Sequence, residues 1–563
     1  MALSPRQRRR RVAARRAGRD RPGHPRGGAR AAPPRIPGGA AGVGSGGAYL
    51  ARGGRQCELG VGGDVVRATH PTASPAAMTG LAGIVAALER AQLLVGTPDL
   101  HTWPELSGLT ADSRKVARGM LYCAVRGSVQ DGHQFVSAAR DRGAAAALVE
   151  REQDADLAQI LVRDGRRAAA VAAETWYDHP AAKLNLVGVT GTNGKTTSVA
   201  LLRHVLSALE PTGSIGTLGA FDPSGDAVPS EAGNLTTPGP IDLQATLAAL
   251  VARGARGAAM EVSSHSLDQG RVDRLVFRAG VFTNFTRDHL DYHKTLDDYF
   301  RAKAKLLGYI APDGLEVVNA DDPAWVRLRR SGTHRRVTFG EREGDVTARR
   351  VSLDATGARF ELVTPMGSAP VHLPLLGRFN VANALGVAAC AWGLGVPVDT
   401  VAECLTDAPQ VPGRMERIAE RPTTVLRDYA HTADALERAI ETLRPLTTGR
   451  LIVVFGAGGD RDRGKRAPMG EITVRLADLA IATSDNPRTE DPERILDEVE
   501  AGMRGKPHER QVDRRRAIAR ALELARPGDT VLLAGKGHET YQVIGTEKQH
   551  FDEREVVHEL GAS

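Results

Sequence analysis

Apolar runs that end in polar or glycine-rich tips recur along this chain, with helical spacing between them. Leu184 to Val189 reads as a buried strand, and Ser198 to Leu206 carries apolar residues at helical spacing. Between them lies Gly191-Thr192-Asn193-Gly194-Lys195-Thr196-Thr197. A strand, a glycine turn and a helix opening on Lys-Thr form a phosphate cradle. Backbone N–H groups at the turn and the helix start face an anion, Lys195 adds a point charge, and a hydroxyl can reach Mg²⁺. The strict Walker spacing is not met: Gly188 lies one residue too early, and Val189 stands where the glycine is expected.

The same pattern predicts strands at Ala258 to Val262, Ala279 to Thr283 and Leu315 to Asn319. The first ends in Ser263-Ser-His-Ser-Leu-Asp-Gln-Gly-Arg271, which places Glu261 at the carboxyl edge of the sheet as a candidate magnesium ligand. His265 lies four residues beyond it and, taken alone, is an ordinary loop histidine. The second runs into the polar stretch Asn284 to His293. A helix from Asp297 carries Lys303 and Lys305, and spacing alone reads both as solvated lysines. The third strand leads to Asn319 and Asp321, a tip suited to adenine or ribose. Asn380 and Asn383 share one face at a helix start.

From about residue 80 to 180, short strands and helices alternate, including Gly119 to Gly127 and Ala144 to Val149. Asp112-Ser113-Arg114 and Asp131-Gly-His133 read as turns. Beyond Pro412-Gly-Arg414, four strands again end in polar tips: Asp428 to His431, Gly456 to Arg466, Ser484 to Arg488, and Gly535 to Glu539. Four strands separated by helices predict a Rossmann-like sheet, with ligands at the carboxyl ends of its strands. The Gly456-Ala-Gly-Gly run is a weak dinucleotide signal.

A length of 563 residues fits about three or four domains, and a 42% hydrophobic content suffices for their cores. No apolar run approaches the ~20 residues of a membrane span. Cys57, Cys123, Cys390 and Cys404 form no C-x-x-C pair, which argues against a zinc site or disulfide framework and fits a reducing cytosol. The formal charge of +7 misleads: residues 1–77 hold 15 Arg and no Lys against 3 acids, so the remainder is mildly acidic. This Arg-, Gly-, Ala- and Pro-rich tail reads as disordered and dispensable, with Met78 as an alternative start. It lacks interleaved aromatics, so no nucleic-acid partner is expected.

Together these stretches resemble the Mur ligase family. The residues carrying the resemblance are Gly191-Thr-Asn-Gly-Lys-Thr-Thr, Glu261-Val-Ser-Ser-His, Arg287-Asp-His-Leu-Asp-Tyr-His, Gly377-Arg-Phe-Asn-Val-Ala-Asn-Ala, Asp428-Tyr-Ala-His-Thr, Asp485-Asn-Pro-Arg and Gly535-Lys-Gly-His-Glu. They run in the family's order from about Thr110 onward. The resemblance implies a three-domain α/β architecture: a P-loop-type central parallel sheet (181–412), an N-terminal UDP-substrate-binding domain (78–180) and a Rossmann-like C-terminal domain (413–563). It implies a cytoplasmic ATP- and Mg²⁺-dependent amide ligase of peptidoglycan synthesis, a monomer without membrane insertion. The Asp-Asn-Pro-Arg run is the signature of members that add meso-2,6-diaminopimelate to UDP-N-acetylmuramoyl-L-alanyl-D-glutamate through an acyl phosphate. The alternative is a related Mur or folylpolyglutamate-type ligase using another amine, such as L-lysine.

The resemblance also implies site residues. Gly191 to Thr197 would hold the phosphates, and Thr196 and Glu261 one Mg²⁺. Lys303, as a carbamate (N6-carboxylysine), and His265 would hold a second, with Lys195, Glu261, His265 and Lys303 catalytic. Asn319, Asp321, Arg414 and Asp428 would serve ATP or, with His431, the contact between domains. Ser113, Ser128, Val129, Gln130, Thr236, Thr237, Ser263, Gln269 and Arg271 would bind the UDP substrate. Arg461, Asp485, Asn486, Pro487, Arg488, Gly535 and Glu539 would form the diaminopimelate pocket. There Arg488 would clamp the distal carboxylate and Glu539 the distal ammonium.

Overall fold

A computed structural model describes residues 80–96, 103–127, 130–230, 235–330 and 332–563. The tail 1–77, Met78, Ser128 and Val129 lie outside the described residues. Three main sheets carry the fold. The first has four parallel strands in sequential order: Gly108–Thr110, Met120–Cys123, Ala146–Val149 and Ala158–Leu161. Its core is filled from helices Leu81–Arg90 and Gly165–Trp176.

The central sheet has eleven strands. Seven are parallel, in the order Val346–Asp354, Arg335–Gly340, Ile310–Asn319, Phe277–Phe282, Asn185–Thr190, Gly257–Glu261 and Thr212–Gly216. Antiparallel strands extend both ends: Gly357–Thr364 and Gly367–Leu373 on one side, Gly219–Phe221 and Ala227–Val228 on the other. Alternation along Asn185–Thr190 sorts its side chains. Val187 and Val189 join a core with Val199, Leu202 and the alanine-rich helix Arg378–Gly393, while Leu186 joins the opposite core with Met260, Phe277 and Phe282. Gly188 belongs to this packing and not to the phosphate turn: a Cβ there would stand 3.1 Å from the Phe277 ring and 3.2 Å from Leu306.

The third sheet runs Glu416–Ala419, Thr424–Asp428, Thr530–Ala534, Leu451–Phe455, Leu479–Ala482 and Glu509–Arg510, parallel except for its first strand. The four tips expected from sequence sit at the carboxyl ends of the four long parallel strands. A separate hairpin, Tyr541–Ile544 with Glu547–His550, follows the last tip. The third core reaches back into the preceding sheet's chain: Leu376 is buried with Met415, Leu426, Leu436 and Leu443. Beside it, Gly377 takes φ +93, and a Cβ there would lie 2.8 Å from Thr442.

Candidate active site

Strand Asn185–Thr190 delivers the glycine turn to the carboxyl edge of the central sheet, and helix Lys195–Leu206 begins directly after it. Gly191 (φ +151) and Gly194 (φ +85) hold conformations that favour glycine, and space forbids a side chain at either. A Cβ would overlap Thr283 Oγ1 at Gly191 and Asn383 Oδ1 at Gly194. Asn383 is itself held, its Nδ2 donating to Asn380 Oδ1 at 3.0 Å, while Asn380 Nδ2 donates to Leu376 O at 2.8 Å. The two asparagines read as sharing one helical face therefore brace the phosphate turn. Thr192 Oγ1 donates to Thr286 O at 3.2 Å, and Asn193 N donates to Asn284 Oδ1 at 2.9 Å. The Lys195 ammonium donates to Gly191 O (3.0 Å) and Thr192 O (2.8 Å). Burial lowers its pKa, opposed by Glu261 and Asp288.

Lys303 is not a solvated lysine. It is 1% exposed, on the inner face of helix Leu296–Ala304, and its Nζ donates to Gly191 O at 2.6 Å. Burial drives its pKa well below the ordinary range, and the Lys195 charge adds to this. A neutral amine is the form that can add CO₂, so the site is chemically fit for a carbamate. Lys305 behaves as spacing predicts: it is exposed and pairs with Asp268 at 2.7 Å. Glu261 is 1% exposed, and its Oε1 accepts from Thr217 N at 2.8 Å. Glu261 and the Thr196 hydroxyl carry oxygens of the kind that could hold Mg²⁺. No group of three or more His, Cys, Asp or Glu among the described residues could hold a metal. One or two protein oxygens suffice where phosphates and waters complete the shell.

His265 packs in a ring cluster, with centroids 4.8 Å from His289, 4.3 Å from Tyr292 and 5.4 Å from His293. Burial, with His289 and His293 adding, lowers its pKa to about 4. The imidazole that feels both the Lys195 and Lys303 charges is His289, also lowered chiefly by burial. Around Glu261 a polar chain assembles. Thr237 Oγ1 donates to Glu261 O at 2.8 Å, and Ser263 N donates to Thr237 Oγ1 at 3.1 Å. Thr236 and Thr217 hydroxyls meet at 3.2 Å. Arg271 donates to Thr237 O at 3.0 Å and, twice, to Gln269 Oε1 at 2.9 and 2.6 Å. Thr236, Thr237, Ser263, Gln269 and Arg271 thus form one network beside the phosphate turn.

The third sheet meets this centre through Arg414. Its Nη2 donates to Thr196 Oγ1 at 3.2 Å and its guanidinium lies 4.9 Å from the Tyr429 ring centroid. Asp428 accepts from Met415 N at 2.7 Å, and burial raises its pKa, opposed by Arg414. His431 Nδ1 bonds Tyr429 O at 2.7 Å. At the neighbouring tips, Asn486 Nδ2 donates to Glu539 Oε2 at 2.8 Å. Arg488 Nη1 donates to Gly459 O (2.8 Å) and Asn486 O (3.4 Å) and meets no carboxylate among the described residues. Gly535 takes φ +118, and a Cβ there would stand 2.7 Å from Asp485 Oδ2. A Cβ on Gly459 would overlap the carbonyl of Pro487, which closes one wall, and Arg461 Cγ lies 3.9 Å from the corresponding point on Gly458.

Three family models match in sequence: the Mur ligase family, catalytic domain over 105–180; the Mur ligase middle domain over 189–391; and the Mur ligase, glutamate ligase domain over 413–537. The chain belongs to the Mur ligase family. It is 44% identical over 481 residues to the UDP-N-acetylmuramoyl-L-alanyl-D-glutamate–2,6-diaminopimelate ligase of Geobacter metallireducens, covering 80% of this chain and 93% of that relative. A solved structure of a ligase of the same name is 32% identical with a TM-score of 0.58, covering 83% and 96% of the two chains. The MurF ligase of Thermotoga maritima, solved in complex with ADP, shares the fold at 21% identity and a TM-score of 0.57, covering 76% of this chain and 94% of that one.

Within this Mur ligase some expected residues are already occupied. Asp321 accepts from the backbone N–H groups of Glu341 (2.7 Å), Arg342 (3.2 Å) and Glu343 (3.1 Å), so it organises a turn. Asn319 donates to Thr283 O at 2.7 Å and accepts from Asp321 N at 3.0 Å. On the first sheet, Ser113 opens a short 3-10 turn whose Asp112 cap pairs with Arg114 at 2.8 Å, and exposed Gln130 follows the undescribed Ser128 and Val129. Sequence reasoning passed over His289, Asp288, Thr217, Lys465 and Lys536. Lys465 is half-buried near Asp485, with its Nζ donating to His431 O at 2.9 Å. Asp288, His289, Lys465 and Lys536 lie inside polar stretches or motifs quoted from the sequence but carried no role of their own there, and Thr217 lies in none of them.

Proposed function

We propose that this protein is the ATP-dependent ligase that joins meso-2,6-diaminopimelate to UDP-N-acetylmuramoyl-L-alanyl-D-glutamate, giving ADP and phosphate, in peptidoglycan precursor synthesis. The observation that carries the amine's identity is Arg488: a half-buried guanidinium with no carboxylate partner among the described residues, at the tip Asp485 to Arg488, whose Asn486 also donates to Glu539. An amino-acid end with one carboxylate and one ammonium matches that pair, whereas L-lysine would leave Arg488 without a counter-ion.

The residues divide the chemistry. The N–H groups of Gly191 to Thr197 and the Lys195 ammonium orient the β- and γ-phosphates. The substrate carboxylate attacks the γ-phosphorus and ADP leaves. The amine then attacks the acyl carbon, expels phosphate and loses a proton. Transfer of this kind rests on positioning and charge neutralisation. Thr196 and Glu261 would hold Mg²⁺, which would supply positive charge at the phosphates, and carbamylation of Lys303 would add a ligand of the right sign. Thr236, Thr237, Ser263, Gln269 and Arg271, with Ser113 and Gln130, would hold the UDP substrate. Residues 78–180, 181–412 and 413–563 are assigned to UDP-substrate, ATP and amine binding, with 1–77 as a dispensable tail. No helix among the described residues is long and apolar enough to cross a membrane, and a cytoplasmic monomer is the assigned state.

The test is phosphate release by purified protein with ATP and the UDP-dipeptide, with and without diaminopimelate or lysine. Release should require the dipeptide and diaminopimelate together and be weak with lysine. Release indifferent to both substrates would overturn the assignment.

A further inference from the structure

Lys536 is 0% exposed, which is rare for a lysine and costly unless the charge is paired. Its backbone is turned inward by the glycines on either side. Gly535 (φ +118) and Gly537 (φ +55) both hold left-handed conformations, and a Cβ on Gly537 would lie 2.7 Å from Tyr429 Cβ. The ammonium ends among three polar groups: Asn486 Oδ1 at 3.2 Å, Glu539 Oε2 at 3.4 Å and Asp485 Oδ1 at 3.8 Å. The Tyr541 ring centroid is 5.8 Å away.

Resting on the function proposed above, we propose that Lys536 is a positioning residue that fixes the polarity of the amine pocket. Asn486 Oδ1 accepts from both Lys536 and Val543 N (2.9 Å), so its amide cannot turn over and Nδ2 must point at Glu539. Glu539 Oε2 is then held by Asn486 and Lys536, which leaves Oε1 as the acceptor for a substrate ammonium. Two carboxylates in one pocket repel, and the ammonium between Asp485 and Glu539 offsets this. The pocket thereby keeps an anionic half at Glu539 and a cationic half at Arg488, the pattern of a zwitterionic amino-acid end.

The test compares Lys536→Met, Lys536→Arg, Glu539→Gln and the Lys536→Met/Glu539→Gln double variant in steady-state assays with each substrate varied in turn. Lys536→Met should raise the KM for diaminopimelate at least 30-fold, change kcat less than threefold, and leave the KM values for ATP and the UDP-dipeptide within twofold. Lys536→Arg should recover part of the loss. The double variant should be little worse than Glu539→Gln, because the lysine acts through that carboxylate. Should Lys536→Met not fold, Lys536→Arg carries the test through the same split between diaminopimelate and ATP. An unchanged KM for diaminopimelate, an equal rise for all three substrates, or fully additive losses would overturn the role while leaving the ligase assignment standing. Wild-type protein that ignores diaminopimelate would overturn both.

Discussion

Replacing Arg488 by alanine isolates the group on which the choice of amine rests. One guanidinium nitrogen, Nη1, is spent on the carbonyls of Gly459 and Asn486; Nε and Nη2 are left for a substrate carboxylate. Truncating one partner of a desolvated, hydrogen-bonded charge pair costs about 2–5 kcal/mol. For this half-buried side chain a value near 3 kcal/mol corresponds to a roughly 150-fold rise in KM. The backbone supplies a control. Arg488 sits at φ +53, its N–H donates to Val543 O at 3.0 Å and its carbonyl accepts from Gly545 N at 2.8 Å. Alanine keeps the left-handed penalty of about 1–2 kcal/mol, whereas glycine relieves it. Arg488→Gly should therefore melt no lower than Arg488→Ala while sharing its binding defect. Arg488→Lys, a point charge without the fork, should fall between wild type and alanine. The assay is initial-rate ADP formation with diaminopimelate varied at saturating ATP and UDP-dipeptide, then with ATP varied. A comparable rise in both KM values, or none for diaminopimelate, would refute the reasoning.

Other perturbations probe the remaining parts of the molecule. Gly194→Ala should raise the KM for ATP at least tenfold, since its Cβ meets an Asn383 oxygen that the Asn380 contact prevents from retreating; an unaltered value would dissociate the turn from nucleotide binding. Lys303→Ala should be nearly inactive, with partial rescue by short carboxylates, and wild-type protein stripped of CO₂ should recover on adding bicarbonate. No response to bicarbonate would argue against a carbamate. Arg514 and Glu553 are both 0% exposed in their side chains and 2.7 Å apart, so Glu553→Gln should cost about 3–5 kcal/mol in chemical denaturation, and a loss under 1 kcal/mol would contradict the burial. His265 and His538 both have pKa values lowered to about 4, chiefly by burial. The unfolded chain therefore binds more protons below its ordinary imidazole range, and the stability these groups contribute should fall as pH drops from about 6.5 towards 4. Thermal melts of His265→Gln and His538→Gln should show a shallower slope in that window.

Where chemistry rides on strand ends, the sequence was readable. Apolar runs located the strands, and polar tips marked the strand ends that carry the candidate site residues, because an open parallel sheet gathers its carboxyl ends on one edge. What escaped depended on direction. Lys303 lies in the last turn of helix Leu296–Ala304 and Lys305 just past its end, and only packing decides that the first turns inward and the second outward. Sequence singled out His265, yet it is the pKa of His289, lowered first by burial, that the charges of both Lys195 and Lys303 also lower. Asp321 had the right position for a ligand, but three backbone N–H groups occupy it. The antiparallel strands Gly357–Thr364 and Gly367–Leu373 do alternate, burying Ala358, Phe360 and Leu362 and then Ala369, Val371 and Leu373, but alternation alone does not say which sheet they extend, and their register is set by neighbours. Lys536 was quoted within a motif without a role, because burial of a lysine is invisible to composition.

The seat of Leu376 in the third core limits how the protein can be cut. A fragment beginning at residue 413 would carry Met415, Leu426, Leu436 and Leu443 around a hole shaped for a residue it no longer owns. Extending the fragment upstream to recover that leucine brings in helix Arg378–Gly393, which is built to be covered by another sheet. Screening for molecules that occupy the amine pocket is therefore better done on the whole enzyme than on its last third.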